Sequence, residues 1–186
     1  MWIGPVREHV LHECQRPSNI LGPAFFHEHV AVVAECSGWL AASLHADAEI
    51  VELAAYLHDL SAICDPSTLP IHAQAGADLA RRLLIERGCP PVIVNAVAGA
   101  IVSHSSPLPV GAASAEAVCL SNADAVARIL RPAYWLYFAY RVRSLGFEEG
   151  REWLRSLLEN HWCALTEPAK DLVGARYTAA MEMLRS

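Results

Sequence analysis

Six side chains between positions 29 and 124 are of the types from which proteins build transition-metal sites. They are four histidines and two aspartates: His29, His58, Asp59, His72, His104 and Asp124. Imidazole nitrogens together with carboxylate oxygens suit cations such as Fe, Mn, Co or Zn, whereas Mg and Ca favour sites made of oxygen atoms alone. The six residues therefore predict a transition-metal centre, provided that the fold brings them together.

The spacing of apolar residues predicts helices that turn several of these side chains inward. A helix advances about 100° per residue, so positions three and four apart share a face. His104 and Asp124 each continue such an apolar series: Ile93, Val97 and Ala100 for the histidine, and Ala113, Ala117 and Leu120 for the aspartate. His29 lies at the edge of the stripe on its helix, whereas His27 points away from that stripe and is expected to face solvent.

The doublet His58-Asp59 ends an apolar helical run that begins at Val51. Neighbouring side chains diverge by about 100°, so a shared cation has to lie in the notch at the helix end, where unpaired carbonyl groups favour positive charge. His72 opens a later helix, in which Gly76 would let another backbone segment or a ligand approach closely.

Each of these residues also has a simpler interpretation. A single histidine at the edge of an apolar stripe is usually a hydrogen-bonded core residue, and Asp124 has an alternative partner in Arg128, four residues later. Several inward titratable groups are nevertheless harder to satisfy separately than around one centre. The other histidines tested show no such convergence, and we expect them on the surface or just outside the ligand set: His9, His12, His45 and His161.

The composition predicts an all-α fold. Alanine, leucine, glutamate and arginine dominate, and valine and isoleucine rarely alternate with polar residues. Two predicted helices, Ala24–Leu44 and Ala48–Leu60, would carry the first three candidate ligands. The aromatic segment Tyr134–Tyr140 is assigned to core packing or a homodimer contact rather than to substrate stacking. Because 54% of the 186 residues are hydrophobic, we expect one compact domain over residues 1–186.

Charge and terminal composition limit the partners. The formal net charge of -6 argues against duplex nucleic acid, whose binding requires a basic surface. The apolar runs are too short to cross a bilayer as helices, and the first residues form neither a signal peptide nor a lipidation motif. The six cysteines form no C-x-x-C pair and are expected to be reduced core thiols. We therefore expect a cytoplasmic protein that does not associate with membranes.

The pattern formed by the candidate ligands resembles the HD-domain superfamily of metal-dependent phosphohydrolases. That pattern is a helical histidine, a His-Asp doublet about thirty residues later and a distal aspartate, which here are His29, His58-Asp59 and Asp124. His72 and His104 resemble the two extra histidines of the family's dinuclear branches. The resemblance covers about residues 24–130, and the helices of residues 131–186 are expected to belong to the same domain.

The resemblance implies an all-α bundle with one or two divalent transition metals at its centre, Fe or Mn preferred and Co, Ni or Zn as alternatives. Four residues would hold the first ion and two more the second, with Asp59 bridging both: His29, His58, Asp59 and Asp124, then His72 and His104. Water activated by the ions would attack phosphorus. Asp59 would take part in catalysis, and a nearby carboxylate, Asp65 or Glu28, would handle protons.

The chain departs from the family pattern directly after the doublet. Ala62 stands where many members have a lysine, so Arg128 or Arg81 would have to supply the positive charge for a small phosphorylated substrate. We expect a hydrolase of a phosphoester or phosphoanhydride, and the family suggests a nucleotide or dinucleotide polyphosphate as substrate. Two alternatives stay open: a di-iron oxygenase of the same fold acting on a polyol or phosphonate, and an HD-fold module that binds or regulates without catalysis.

Overall fold

The computed structural model describes residues 2–104 and 113–185, and these residues form helices without any strand. The prediction of an all-α fold is confirmed. The α-helices are α1 (Ile3–Cys14), α2 (Ala31–Ala41), α3 (Ala48–Leu57), α4 (Leu60–Cys64), α5 (His72–Glu86), α6 (Pro91–Ser103), α7 (Ala115–Leu130), α8 (Pro132–Tyr137), α9 (Phe147–Ala164) and α10 (Glu167–Arg185). A 3₁₀-helix (Pro66–Ile71) precedes α5, and π-helical turns precede α2 (Phe26–Val30) and follow α8 (Phe138–Val142).

The helix that leads to the doublet is shorter than predicted. It begins after Asp47, whose carboxylate accepts hydrogen bonds from the backbone of Glu49 and Ile50, as an N-cap does. It ends at Leu57 rather than Leu60, because Asp59 leaves the helical conformation with φ -106° and ψ 7°. The chain therefore breaks at the doublet itself, and α4 starts directly after it.

Helices α2, α3, α6 and α7 form the centre of the fold. Helix α2 packs against α3 and α7, while α6 packs against α3, α5 and α7. Large side chains that are fully buried fill the space between them: Leu53, Leu57, Ile101 and Leu120. Helices α9 and α10 pack together and against α7, so the C-terminal part of the chain contacts the helix that carries Asp124.

Two further expectations concern cysteines and membranes. Four cysteines are buried, but Cys64 and Cys163 are exposed, so the prediction of core thiols is wrong for these two. All six are free thiols. None of the helices in the described residues has the length and apolar character needed to span a bilayer.

Candidate metal centre

The six predicted ligands come from five segments of the chain that meet in the interior. Five of them are buried and His72 is partly buried, whereas His27 is exposed, as its position on the helix predicts. Donor atoms of His29, His58 and Asp59 lie within 4.8 Å of one another, and so do those of Asp59, His72 and His104. The structure thus forms two candidate groups of ligands that share Asp59.

Distances in the first group match those between ligands of one cation. The Nε2 atoms of His29 and His58 are 3.2 Å apart, and Asp59 Oδ2 lies 3.4 and 3.1 Å from them. Asp124 Oδ1 is 3.3 Å from His29 Nε2. Ligand atoms about 2.1 Å from a common ion are separated by about 3.0 Å in octahedral and about 3.4 Å in tetrahedral geometry. The donor atoms of His29, His58 and Asp59 are therefore spaced as such an ion would require, and Asp124 lies at the same spacing from His29.

Asp59 faces the second group with its other oxygen. Its Oδ1 atom lies 3.9 Å from Nε2 of His72, while Oδ2 is directed at the first group. The Nε2 atom of His104 is buried and has no hydrogen-bond partner. A carboxylate with one oxygen towards each group is the arrangement that a bridging ligand needs.

Three of the histidines are oriented in the same way by the backbone. In His58, His72 and His104, Nδ1 lies 2.7, 2.9 and 2.6 Å from the carbonyl oxygen three residues earlier: Ala55, Leu69 and Ile101. A proton on Nδ1 that is donated to this carbonyl leaves a lone pair on Nε2, and histidine ligands of metals are commonly held so. In His104 this Nε2 atom is buried without a partner, and since such an atom is unfavourable, the donor set fits a transition-metal ion.

Gly76 lets helix α5 lie directly against the doublet. A Cβ atom at Gly76 would be only 2.7 Å from the carbonyl oxygen of His58. This close approach, which the sequence predicts, places His72 at the first turn of α5 near Asp59.

The buried charges of the centre balance each other in pairs. Burial alone would lower the pKa of His58, but the charge and hydrogen bond of Asp59 raise it to about 9. Burial alone would raise the pKa of Asp59, but His58 and His29 hold it well below its ordinary value. Burial, together with the charge of His58, lowers the pKa of His104 to about 4. An incoming cation would therefore compete with the proton on His58, as metals generally do at histidine sites.

The sequence offered two alternative partners for Asp124, the metal ligands and Arg128, and the structure places it against both His29 and Arg128. Besides its contact with His29, it accepts two hydrogen bonds of 3.0 Å from Nε and Nη2 of Arg128. The guanidinium group of Arg128 also stacks over the ring of Trp135 at 4.5 Å. Because a carboxylate offers about four lone-pair positions, the pair with arginine leaves capacity for a metal.

Three residues with predicted roles lie elsewhere. Arg81 lies nine residues after His72 on the same helix, which places it about 13 Å away and on the opposite face. There it forms an ion pair with Asp78 at 3.1 Å. Asp65 is exposed, and its carboxylate caps the 3₁₀-helix by accepting a hydrogen bond from the backbone of Ser67. Glu28 forms an ion pair with an arginine of the loop after α7, Arg131. The predicted roles of Arg81, Asp65 and Glu28 are therefore not supported by their positions.

A cavity of about 130 Å³ lies beside the ligand cluster. Its polar lining consists of Asp59, His72 and Arg128, and its apolar lining consists of Leu21, Phe25, Ala62, Leu69, Trp135, Phe138 and Trp153. Trp135 and Phe138 belong to the aromatic segment; both pack in or against the hydrophobic core, as predicted, and both also line the cavity.

His161 lies near enough to the site for Arg128, Asp124 and His29 to act on its charge. Its Nε2 atom is buried without a hydrogen-bond partner. Burial, with a contribution from the charge of Arg128, lowers the pKa of His161 to about 4. His161 is partly buried and belongs to neither group of candidate ligands.

Comparisons with known proteins agree with this geometry. The family model of the HD domain matches residues 26–129, a range that contains all six candidate ligands, and the chain therefore belongs to the HD domain family. Among solved structures, it is similar to a protein from an uncultured Thermotogales bacterium described as a predicted HD superfamily hydrolase. The two chains are 24% identical over 98% of this chain and 88% of the other, with a TM-score of 0.65, which shows a shared fold. No curated protein matches the chain.

Proposed function

We propose that this protein is a metal-dependent hydrolase that cleaves a phosphoester or phosphoanhydride bond in a small molecule. The observation that carries the proposal is the position of Asp59. It belongs to both groups of candidate ligands and also lines the cavity, together with His72 and Arg128. A phosphoryl group in this cavity would meet the metal centre on one side and a guanidinium group on the other.

The proposed ligands are those of the two groups that share Asp59, with Asp124 completing the first: His29, His58, Asp59, His72, His104 and Asp124. Fe or Mn is proposed, since mixed nitrogen and oxygen donors suit such ions. When bound, the ions supply Lewis acidity, which polarises a phosphoryl oxygen and makes water acidic enough to attack at neutral pH. The backbone carbonyls that hold three of the rings keep the Nε2 atoms aimed at the centre.

Arg128 is the proposed cation for the phosphoryl group. Two of its three nitrogens are fixed by Asp124, and its plane lies on the ring of Trp135. Neither hydrogen bond to Asp124 uses Nη1, so we propose that its two protons serve an anionic oxygen of the substrate. A donor fixed before substrate arrives stabilises developing charge without reorganisation.

Elemental analysis of the freshly purified protein, followed by hydrolysis assays after loading with Fe or Mn, tests the proposal. We expect bound transition metal and release of phosphate from at least one phosphoester or phosphoanhydride. Asp59→Ala should abolish both, and His27→Ala is the matched control at an exposed histidine. Iron accompanied by oxygen consumption would favour an oxygenase instead. Failure to bind any transition metal would reduce the protein to a binding module and refute the proposal.

A further inference from the structure

The cavity beside Asp59 has one continuous aromatic side. The ring of Trp135 lies 5.1 Å from that of the candidate ligand His29, Phe138 lies 5.4 Å from Trp135, and Trp153 lies 5.8 Å from Phe138. Trp135 is 4% exposed, while Phe138 and Trp153 are partly exposed. The row therefore runs outwards from the candidate metal centre. Its rings meet at 87°, 62° and 32°, so a flat ligand would pack against both ring edges and ring faces, as aromatic pairs commonly do.

The same cavity carries little positive charge of its own. Arg128 is the one lysine or arginine in its described lining, and two of its nitrogens already serve Asp124. Ala62, which is buried in the wall, adds no cation. Each phosphate of a polyphosphate needs charged donors to replace its water, and the charge-assisted bonds of arginine or lysine usually provide them. Apart from the proposed metal ions, a chain of several phosphates would find one guanidinium group here.

The size of the cavity points in the same direction. Its volume of about 130 Å³ is close to the ~150 Å³ of an apolar cavity that binds benzene. Pockets that enclose larger ligands commonly measure about 300–1,000 Å³. A single ring nearly fills such a space, so an aryl phosphate would extend a short way out of the open side of the cavity, whereas a base, a sugar and several phosphates together would extend much further.

We propose that the substrate is a monoester with a single phosphoryl group on a small, flat, apolar body such as an aryl ring, rather than a nucleotide polyphosphate. This inference rests on the proposed hydrolase function. In the reaction, the oxygen of water forms a new bond to phosphorus and the bond from phosphorus to the aryl oxygen breaks. The leaving oxygen takes up a proton, so phosphate and a phenol are the products. Trp135, Phe138 and Trp153 would determine specificity by contacting the ring.

Binding of phosphonates to the metal-loaded protein tests this preference without turnover. Phenylphosphonate, methylphosphonate and ADP are titrated by calorimetry, with tryptophan fluorescence as a second signal. We expect phenylphosphonate to bind at least about tenfold more tightly than methylphosphonate, because ring stacking and apolar burial add to the phosphoryl contact. It should also bind more tightly than ADP. Trp153→Ala should reduce the preference for phenyl over methyl to less than about threefold.

Two further variants keep the test independent of folding. Trp153→Leu retains apolar volume but removes the ring, and it should also reduce the preference. Trp39→Ala is the matched control, since Trp39 lies on α2, is 48% exposed and does not line the cavity, so the preference should persist. Equal affinity for the two phosphonates, tighter binding of ADP, or an unchanged preference in both Trp153 variants would overturn the inference.

Hydrolysis assays separate this inference from the proposed function. Cleavage of phenyl phosphate with a kcat/KM at least about tenfold above that for ATP supports both. Faster cleavage of ATP than of phenyl phosphate overturns the substrate class while the hydrolase function stands. If phenylphosphonate binds selectively but no phosphoester or phosphoanhydride is cleaved, the hydrolase function fails, and the substrate class falls with it.

Discussion

Gly76→Ala should damage the metal centre although Gly76 is not a ligand. The added methyl group would lie 2.7 Å from the carbonyl oxygen of His58, whereas carbon and oxygen atoms in contact stay about 3.3 Å or more apart. Helix α5 and the doublet must therefore separate by about 0.6 Å. Because the obstacle is backbone, a change of rotamer cannot relieve the clash. His72 moves with α5, so its distance of 3.9 Å from Asp59 Oδ1 should grow.

Two opposing terms set the magnitude of this effect on stability. Overpacking of a filled interior costs about 1–3 kcal/mol. Replacement of glycine by alanine inside a helix contributes about 1 kcal/mol in the other direction. The metal-free Gly76→Ala variant should thus lose about 0–2 kcal/mol in its free energy of unfolding. Displaced supports of metal ligands commonly cost about 10- to 100-fold in metal affinity, and we expect that range for the second ion.

Gly99→Ala provides the matched control. Gly99 lies within α6, and a Cβ atom there would meet nothing within 4 Å, so the variant should gain about 0.5–1 kcal/mol and bind metal normally. Urea unfolding of the metal-free proteins gives the stabilities, and titration calorimetry gives the metal affinities. If Gly76→Ala matched Gly99→Ala in stability and the unmodified protein in metal affinity, the close approach of α5 to the doublet would be refuted.

Three other perturbations address the bridge, the arginine and the buried histidine behind the site. Asp59→Ala should remove both metals in elemental analysis, and retention of full metal content would contradict a bridging role. Arg128→Lys keeps a positive charge, but lysine cannot bond both oxygens of Asp124 and a phosphoryl group at the same time. The kcat/KM for the best phosphoester should therefore fall about 10- to 100-fold. An unchanged kcat/KM would exclude Arg128 as the cation that binds the phosphoryl group. The pKa of His161 is lowered from 6.5 to about 4, so below pH 6.5 the unfolded chain binds a proton that the folded chain does not. Stability is then lost as the pH falls, by about 2 kcal/mol at about pH 5. His161→Gln should flatten the dependence of unfolding free energy on pH between about 7 and 4, and a slope equal to that of the unmodified protein would contradict the assignment.

Features that depend on one helix were predictable from the sequence. His104 and Asp124 continue apolar series on their helices, and both are buried, with 4% and 5% exposure. The choice of His29 over His27 as the inward residue follows from the same periodicity and agrees with their burial. Periodicity succeeds here because burial of a helical residue is decided mainly by the face on which it lies.

The break at the doublet was not predictable in this way. Leu57 and Leu60 are both fully buried, so the apolar pattern continues through the point where α3 ends. The non-helical conformation of Asp59 occurs where Gly76 of α5 approaches the preceding carbonyl. A contact between segments so distant in the chain leaves no mark in the local pattern, and tertiary contacts often override local preference.

The lining of the cavity was also not predictable, because it is formed by segments that are distant in the chain. The assignment of Arg81 to the substrate site, in contrast, was an avoidable error. The aromatic residues of the lining come from distant segments, such as Phe25 before α2 and Trp153 of α9, and periodicity shows only that such residues avoid water. Arg81 is different, because nine helical positions after His72 amount to about 180° of rotation. The spacing alone places it on the opposite face, where it pairs with Asp78.

Arg128 connects the two halves of the proposed site. Its hydrogen bonds hold Asp124, which lies 3.3 Å from the candidate ligand His29, while its guanidinium group lies over Trp135, the first ring of the aromatic row. A lysine at position 62 would supply charge without either contact, since its ammonium group has no plane to stack and no paired donors. The absence of that lysine is thus compatible with phosphoryl binding, provided that the bound molecule presents one phosphoryl group to Arg128 and an apolar body to the wall.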